Sequence, residues 1–221
     1  MSIQEAAPRP DVTEMIAVHR VFRDTLAAAP ALVGGARPDD TARVELIANY
    51  YDNILRFLQV HHDGEETLVF PKLRERCPDE TGVIDRLESQ HEEALRLLEN
   101  AERSVAAWPG GGAAEQLEVA DSLEALRVKL VAHLDEEEGT ALELCAENLS
   151  PEEWGALPGH GMAHFTGDKI WLILGLLRQR MTNAQRAEML EHMPPPAVEM
   201  WTGFGERAFK ELSAQVANGG G

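Results

Sequence analysis

The run His61-His62-Asp63-Gly64-Glu65-Glu66 compresses two imidazoles and three carboxylates into less than two helical turns. Residues four apart lie one above the other on a helix, so His61 shares a face with Glu65 and His62 with Glu66. His133 and Glu137 repeat the pair within His133-Leu134-Asp135-Glu136-Glu137. His19 and His91 each stand alone, in or beside an apolar stripe of helical period. Four helical segments therefore each bring a nitrogen, and two add a carboxylate one turn later. A helical bundle encloses a mixed nitrogen and oxygen metal centre with such a set.

The helices are legible from period and punctuation. Asp11 and Glu14 have capping-box spacing ahead of Met15, Val18, Phe22, Leu26 and Ala29, and Pro30 with Gly34-Gly35 closes that segment. A second helix starts near Asp39 or Asp40 and carries Val44, Ile47, Tyr51, Ile54, Leu55 and Leu58 toward His61, with Pro71 marking a kink or break. The third spans about Asp79 to Val105, and the fourth, after Pro109-Gly110-Gly111-Gly112, Leu117 to about Glu147. No β-alternation of useful length and no internal repeat beyond helicity is visible. The expected fold is all-α, an up-down-up-down four-helix bundle over residues 12–148 with additional C-terminal helices over 149–218.

That extension opens on Ser150-Pro151-Glu152-Glu153, a cap serine with a glutamate three residues on, and Thr182 with Gln185 repeats the signal. A helix is expected over about Met162 to Arg180 and another from Val198 toward Val216. Trp154, Phe165, Trp171, Trp201 and Phe209 give these short helices more apolar surface than they can bury alone. They are expected to pack on the bundle or on a second subunit, which allows a homodimer through the C-terminal helices.

Composition removes several function classes. Asp and Glu total 38 against 20 Lys and Arg, a formal charge of -18 with no basic stripe, which disfavours nucleic acid. The longest apolar run, Ile170 to Leu177, falls well short of the roughly 20 residues of a membrane span. Met1-Ser2-Ile3-Gln4-Glu5 has no basic region followed by an apolar run, so the chain reads as cytoplasmic, without a membrane or nucleic-acid partner. Cys77 and Cys145 form no Cys-x-x-Cys pair and no disulfide framework. Gly34-Gly35 and Gly110-Gly111-Gly112 lack the frame of a nucleotide loop.

The geometry expected of the centre turns His61, Glu65, His133 and Glu137 inward. Glu65 and Glu137 bridge two metals, and His19 and His91 fill terminal positions. Buried carboxylates without a cation would be driven toward protonation by desolvation and mutual repulsion. Imidazole with carboxylate suits non-haem iron, and manganese or zinc also fit. The run Asp135 to Glu138 would otherwise read as a solvated face. His160 and His164 also stand four apart, in Gly159-His160-Gly161-Met162-Ala163-His164. The plainer reading is a loop entering a helix, with packing and end capping; the sharper ones are approach to the centre or a separate site.

The stretch from Phe57 to Pro71, with His19, His91 and the His133/Glu137 pair in the same order, resembles the hemerythrin-like, HHE cation-binding family over about residues 12–147. The resemblance implies a four-helix bundle with two non-haem iron ions bridged by oxo or hydroxo. Its metal residues would be His19, His61, Glu65, His91, His133 and Glu137. One position departs from the oxygen-carrying members: Leu95 stands where they place a second histidine one turn after the third-helix ligand. His62 is expected to reach in as the replacement donor, as the residue after the second-helix histidine does in some members.

The resemblance implies a protein that carries, senses or decomposes a small oxygen species, a diatomic or peroxide ligand. The moved nitrogen shifts the expectation from reversible oxygen storage toward catalase-like breakdown of peroxide. The alternative is a non-enzymatic oxygen, redox or iron sensor that signals through its tail. An ordinary helical scaffold with incidental histidines is the third reading.

Overall fold

A computed structural model describes residues 8–165 and 169–218. The first bundle helix is α1 (Thr13–Ala27), followed by the short α2 (Ala29–Gly34), which Pro30 opens. The second is α3 (Thr41–Gly64), a π turn (Glu65–Val69) and α4 (Phe70–Arg76). The third is α5 (Thr81–Ala107). The fourth is α6 (Ala113–Glu136), a second π turn (Glu137–Ala141) and α7 (Leu142–Asn148).

The local chemistry explains most boundaries. Asp40 caps α3 by accepting from the Arg43 amide at 3.0 Å. Pro71 does not break its helix. It follows a π turn in which the Phe70 amide bonds back to the Glu65 carbonyl, so the helix passes it by widening. In the fourth helix no proline is needed: the Thr140 hydroxyl takes the Glu136 carbonyl at 2.6 Å beside the same kind of turn. The capping box expected at Asp11 and Glu14 is not formed. Val12 occupies the cap position, and Asp11 instead bonds the Thr13 amide and hydroxyl, a turn of the side chain onto the backbone two residues on.

The core falls into two clusters. Phe22, Leu26, Leu58, Leu98, Leu130 and Leu134 belong to one. Met15, Val69, Phe70, Leu73, Leu87 and Leu142 belong to the other. Each bundle helix passes from one cluster to the other, α1 and α5 in one sense, the second and fourth helices in the reverse. That is the up-down-up-down order. On every helix the metal-type residues lie at or beside the passage from one cluster to the other.

The extension is helical: α8 (Pro151–Trp154), α9 (Ala156–His164), α10 (Ile170–Arg180), α11 (Asn183–His192), α12 (Pro195–Met200), a π turn (Trp201–Gly205) and α13 (Glu206–Ala217). Ser150/Glu153 and Thr182/Gln185 form the expected capping boxes. The helix expected from Met162 to Arg180 is two helices, with Phe165 extended between them. The loop expected around Gly159 and Gly161 is helical; Pro158 lies in the first turn of α9, where its missing N–H has no partner to lose. Phe165, Leu172, Leu176, Trp201, Phe209 and Val216 join the first core cluster, and Trp154 joins the second. Gly175 permits this packing, since a Cβ there would fall 2.2 Å from the Phe209 ring. Among the described residues no helix is long and apolar enough to cross a membrane.

Candidate metal centre

His19, His61, His62, Glu65, His91, His133 and Glu137 are all buried, although each is polar. They form the layer between the two core clusters. Their donor atoms fall into two groups close enough to hold a cation: His62, Glu65, His91 and His133, and His19, His61, Glu65 and Glu137. Glu65 belongs to both. Its Oε1 lies 3.5 Å from His61 Nε2 and its Oε2 lies 3.6 Å from His91 Nε2. Glu137 Oε2 lies 3.4 Å from His19 Nε2 and 3.5 Å from His133 Nε2. Both carboxylates thus face histidines of two helices. Each is also the first residue of a π turn, the kind of irregularity that often marks functional positions in helices.

Three of the rings are oriented from behind. His19 Nδ1 donates to Glu138 at 2.9 Å, and Arg23 holds the same carboxylate oxygen at 3.2 Å. His91 Nδ1 donates to Glu66 at 2.9 Å. His133 Nδ1 donates to the Gln90 amide oxygen at 3.0 Å. The Gln90 amide is itself fixed, because its nitrogen donates to Glu136 at 2.7 Å, and Arg86 holds the other oxygen of Glu136. An acceptor on Nδ1 places the ring proton there and leaves Nε2 with a lone pair directed at the centre.

The layer is poorly satisfied by protein alone. His19 Nε2, His61 Nε2, His62 Nε2, both oxygens of Glu65 and Glu137 Oε2 are buried without a hydrogen-bond partner. His91 and His133 present their Nε2 atoms to each other at 3.2 Å. With both protons held on Nδ1, these are two facing lone pairs. Buried polar groups left so are costly, and a pair of cations satisfies every one of them. The donor set therefore fits a dinuclear nitrogen and oxygen centre.

The charges behave accordingly. Burial holds His61 and His62 well below the ordinary histidine range, with neighbouring rings adding to the effect. Burial also pushes His133 down to about 4. These rings are neutral, as metal ligands must be. Burial, then the charge of Glu137, raises Glu65 well above its usual value. Burial opposes ionisation of Glu137 too, but His19 and His133 outweigh it and hold this carboxyl below its usual value.

Glu66 faces away from the core and serves His91 from behind. Gln90, Glu136 and Glu138 were not singled out from sequence; Glu138 lay within a charge run that reads as solvated surface. Leu95 is 43% exposed and contributes nothing to the layer. The His62 ring instead stacks on His91, with centroids 4.1 Å apart.

The layer also has a two-part order that reading for helical period did not reveal. His19 and His91, His61 and His133, Glu65 and Glu137, and Glu66 and Glu138 share one constant offset of 72. The supporting bonds are exchanged between the halves: Glu66 of the first orients His91 of the second, and Glu138 of the second orients His19 of the first.

Four helices around a buried layer of imidazoles and carboxylates define a cation-binding bundle. The sequence profile of the Hemerythrin HHE cation binding domain matches residues 11–145, and the chain belongs to that family. No curated protein and no solved structure matches the chain.

Proposed function

We propose that the chain holds two non-haem iron ions in this layer and uses them to decompose a small neutral oxidant, peroxide in the first instance. His62, His91 and His133 would hold one ion and His19 and His61 the other, with Glu65 and Glu137 shared between them. The observation that carries this reading is the set of buried, unpartnered Nε2 and carboxylate oxygen atoms aimed into one space. Imidazole and carboxylate together suit iron. When bound, the ions would supply the two-electron redox capacity by which one peroxide is oxidised to oxygen while a second is reduced to water.

The chain's own part is access and orientation. A cleft of about 480 Å³ reaches His62 and His91 and is lined by Leu95 and by Asp63, Glu66, Glu88 and Glu92. Those carboxylates repel anions and admit neutral molecules. Moving a nitrogen donor from α5 to His62 on α3 leaves Leu95 as an apolar wall at the cleft. Glu66 holds the Nδ1 proton of His91 at the same place, while Phe70, stacked on His91 with centroids 5.3 Å apart, supports the ring from the core.

Protein purified without added metal should carry about two irons per chain, the number that paired donor groups with shared carboxylates imply. Oxygen evolution from peroxide should then be compared for iron-loaded wild type, His61→Ala and free iron at equal concentration. Wild type should exceed both. Equal rates would remove the enzymatic reading, and absence of stoichiometric metal would remove the centre.

A second reading, a non-enzymatic oxygen, redox or iron sensor, draws on the contact of α9 with α3. A Cβ at Gly64, next to Glu65, would meet His160 and Leu157 at 3.3 Å. Bound iron with no turnover, but with ligand-dependent amide exchange in α9, would favour it.

A further inference from the structure

Among the described residues, one His/carboxylate cluster lies outside the layer. Asp63 follows His62 on α3 but is exposed, facing away from the bundle core. His160 and His164 stand four apart on α9 and so share a face. His160 Nε2 lies 2.9 Å from Asp63 Oδ2, across 97 residues of chain. The two rings stack with centroids 4.1 Å apart. One donor atom from each of the three side chains lies within 4.8 Å of the others.

We infer that Asp63, His160 and His164 form a separate, mononuclear site for a borderline divalent transition-metal ion, with zinc as its simplest occupant. An ion pair accounts for Asp63 and His160 but not for His164. The His164 Nδ1 donates to the His160 carbonyl at 3.0 Å, which fixes the tautomer and leaves Nε2 free as a donor. A backbone carbonyl behind the other ring nitrogen is the usual support of a metal-binding histidine. On binding, the His160 ring proton would shift from Nε2, where it faces Asp63, to Nδ1, a change of tautomer that frees Nε2 for the ion. Two imidazole nitrogens and one carboxylate oxygen match zinc and exclude a preference for calcium or magnesium, which take oxygen shells. Water completes the coordination at this exposed place.

Gly64 makes the site reachable. Lacking a side chain, it lets α9 settle on α3 with the His160 ring beside it. The ion would fasten the start of the C-terminal extension to the bundle helix that carries His61 and His62. The inference stands whether or not the buried layer turns over peroxide.

The test uses the full-length, iron-loaded protein. Zinc is titrated by calorimetry while iron content is followed, and amide exchange is mapped with and without zinc. Wild type should take up one zinc without releasing iron, and exchange should slow across Ala156–His164. Removing a ligand by His164→Ala, or blunting one by Asp63→Asn, should weaken zinc binding by at least about tenfold. His164 is exposed, so its variant should keep its iron and its fold. No saturable zinc uptake, zinc bound as well by His164→Ala, or protection confined to other segments would each overturn the assignment.

Discussion

His133 shows what the protein pays for presenting neutral rings in an apolar interior. Folded, its pKa is pushed down to about 4 by burial; unfolded, it returns to its ordinary value of 6.5. His61 and His62 are lowered in the same direction, first by burial. As pH falls through 6.5, the unfolded metal-free chain takes up protons at these rings that the folded core refuses, so stability is lost. Glu65 acts in the opposite sense: its raised pKa lets the folded state take up a proton before the unfolded state does. Three lowered histidines outweigh one raised carboxyl, at about 1.4 kcal/mol per net proton per pH unit. The urea midpoint of the metal-free protein should therefore drop between pH 7 and pH 5. A midpoint that holds or rises would mean that Glu65 dominates or that the rings are solvated. The facing pairs His61/Glu65 and His133/Glu137 were legible in the sequence because they lie on one helix and obey its period. Gln90, Glu66 and Glu138 were not, because each acts on a ring of another helix, and no single-helix period carries that pairing.

The four bundle helices were legible in number, order and approximate extent, since apolar stripes and caps are local signals, whereas the extension holds one helix more than its stripe between Met162 and Arg180 indicated. Their irregularities were less so. Pro71 announced a disturbance but not its form, and the π turn at Glu137 had no proline to announce it. The docking of α13 was equally hidden. Its last carbonyls, those of Gln215 and Val216, accept from the buried Arg43 guanidinium at 2.6 and 2.7 Å. Nothing near Arg43 in the sequence points to a partner more than 170 positions away. A cation at a helix C-terminus satisfies carbonyls that have no partner in their own helix. Arg43→Ala should cost about 2–3 kcal/mol of stability, the worth of hydrogen bonds to a charged group. Amide exchange in α13 should quicken while iron content is kept. Unaltered exchange there would show that apolar contacts alone hold α13.

The metal layer divides the molecule's core, and this sets how the molecule comes apart. One side is the larger cluster, reinforced by α10 and α13; the other is the smaller one around Leu73, Ile84, Leu87 and Leu142. Metal ions bonded to residues of all four bundle helices would join the two into one cooperative body, because binding energy reserved for the folded state adds to its stability. Chelation should separate them. Calorimetry of the stripped protein should show a lower and broader transition, with exchange rising first near Leu73 and Leu142 and later near Ile47 and Leu126. One sharp transition in both forms would show that apolar packing crosses the layer unaided. The matched halves of the layer carry a different consequence, one of descent. A single helical hairpin with one lone histidine and one His-x-x-x-Glu turn, paired with its twofold copy, would build nearly all of this layer, so the bundle has the form of a duplication. His62 breaks the match, since its counterpart in the second half is Leu134. That difference, and Gln90 behind His133 where Val18 stands in the first half, make the two donor groups unequal.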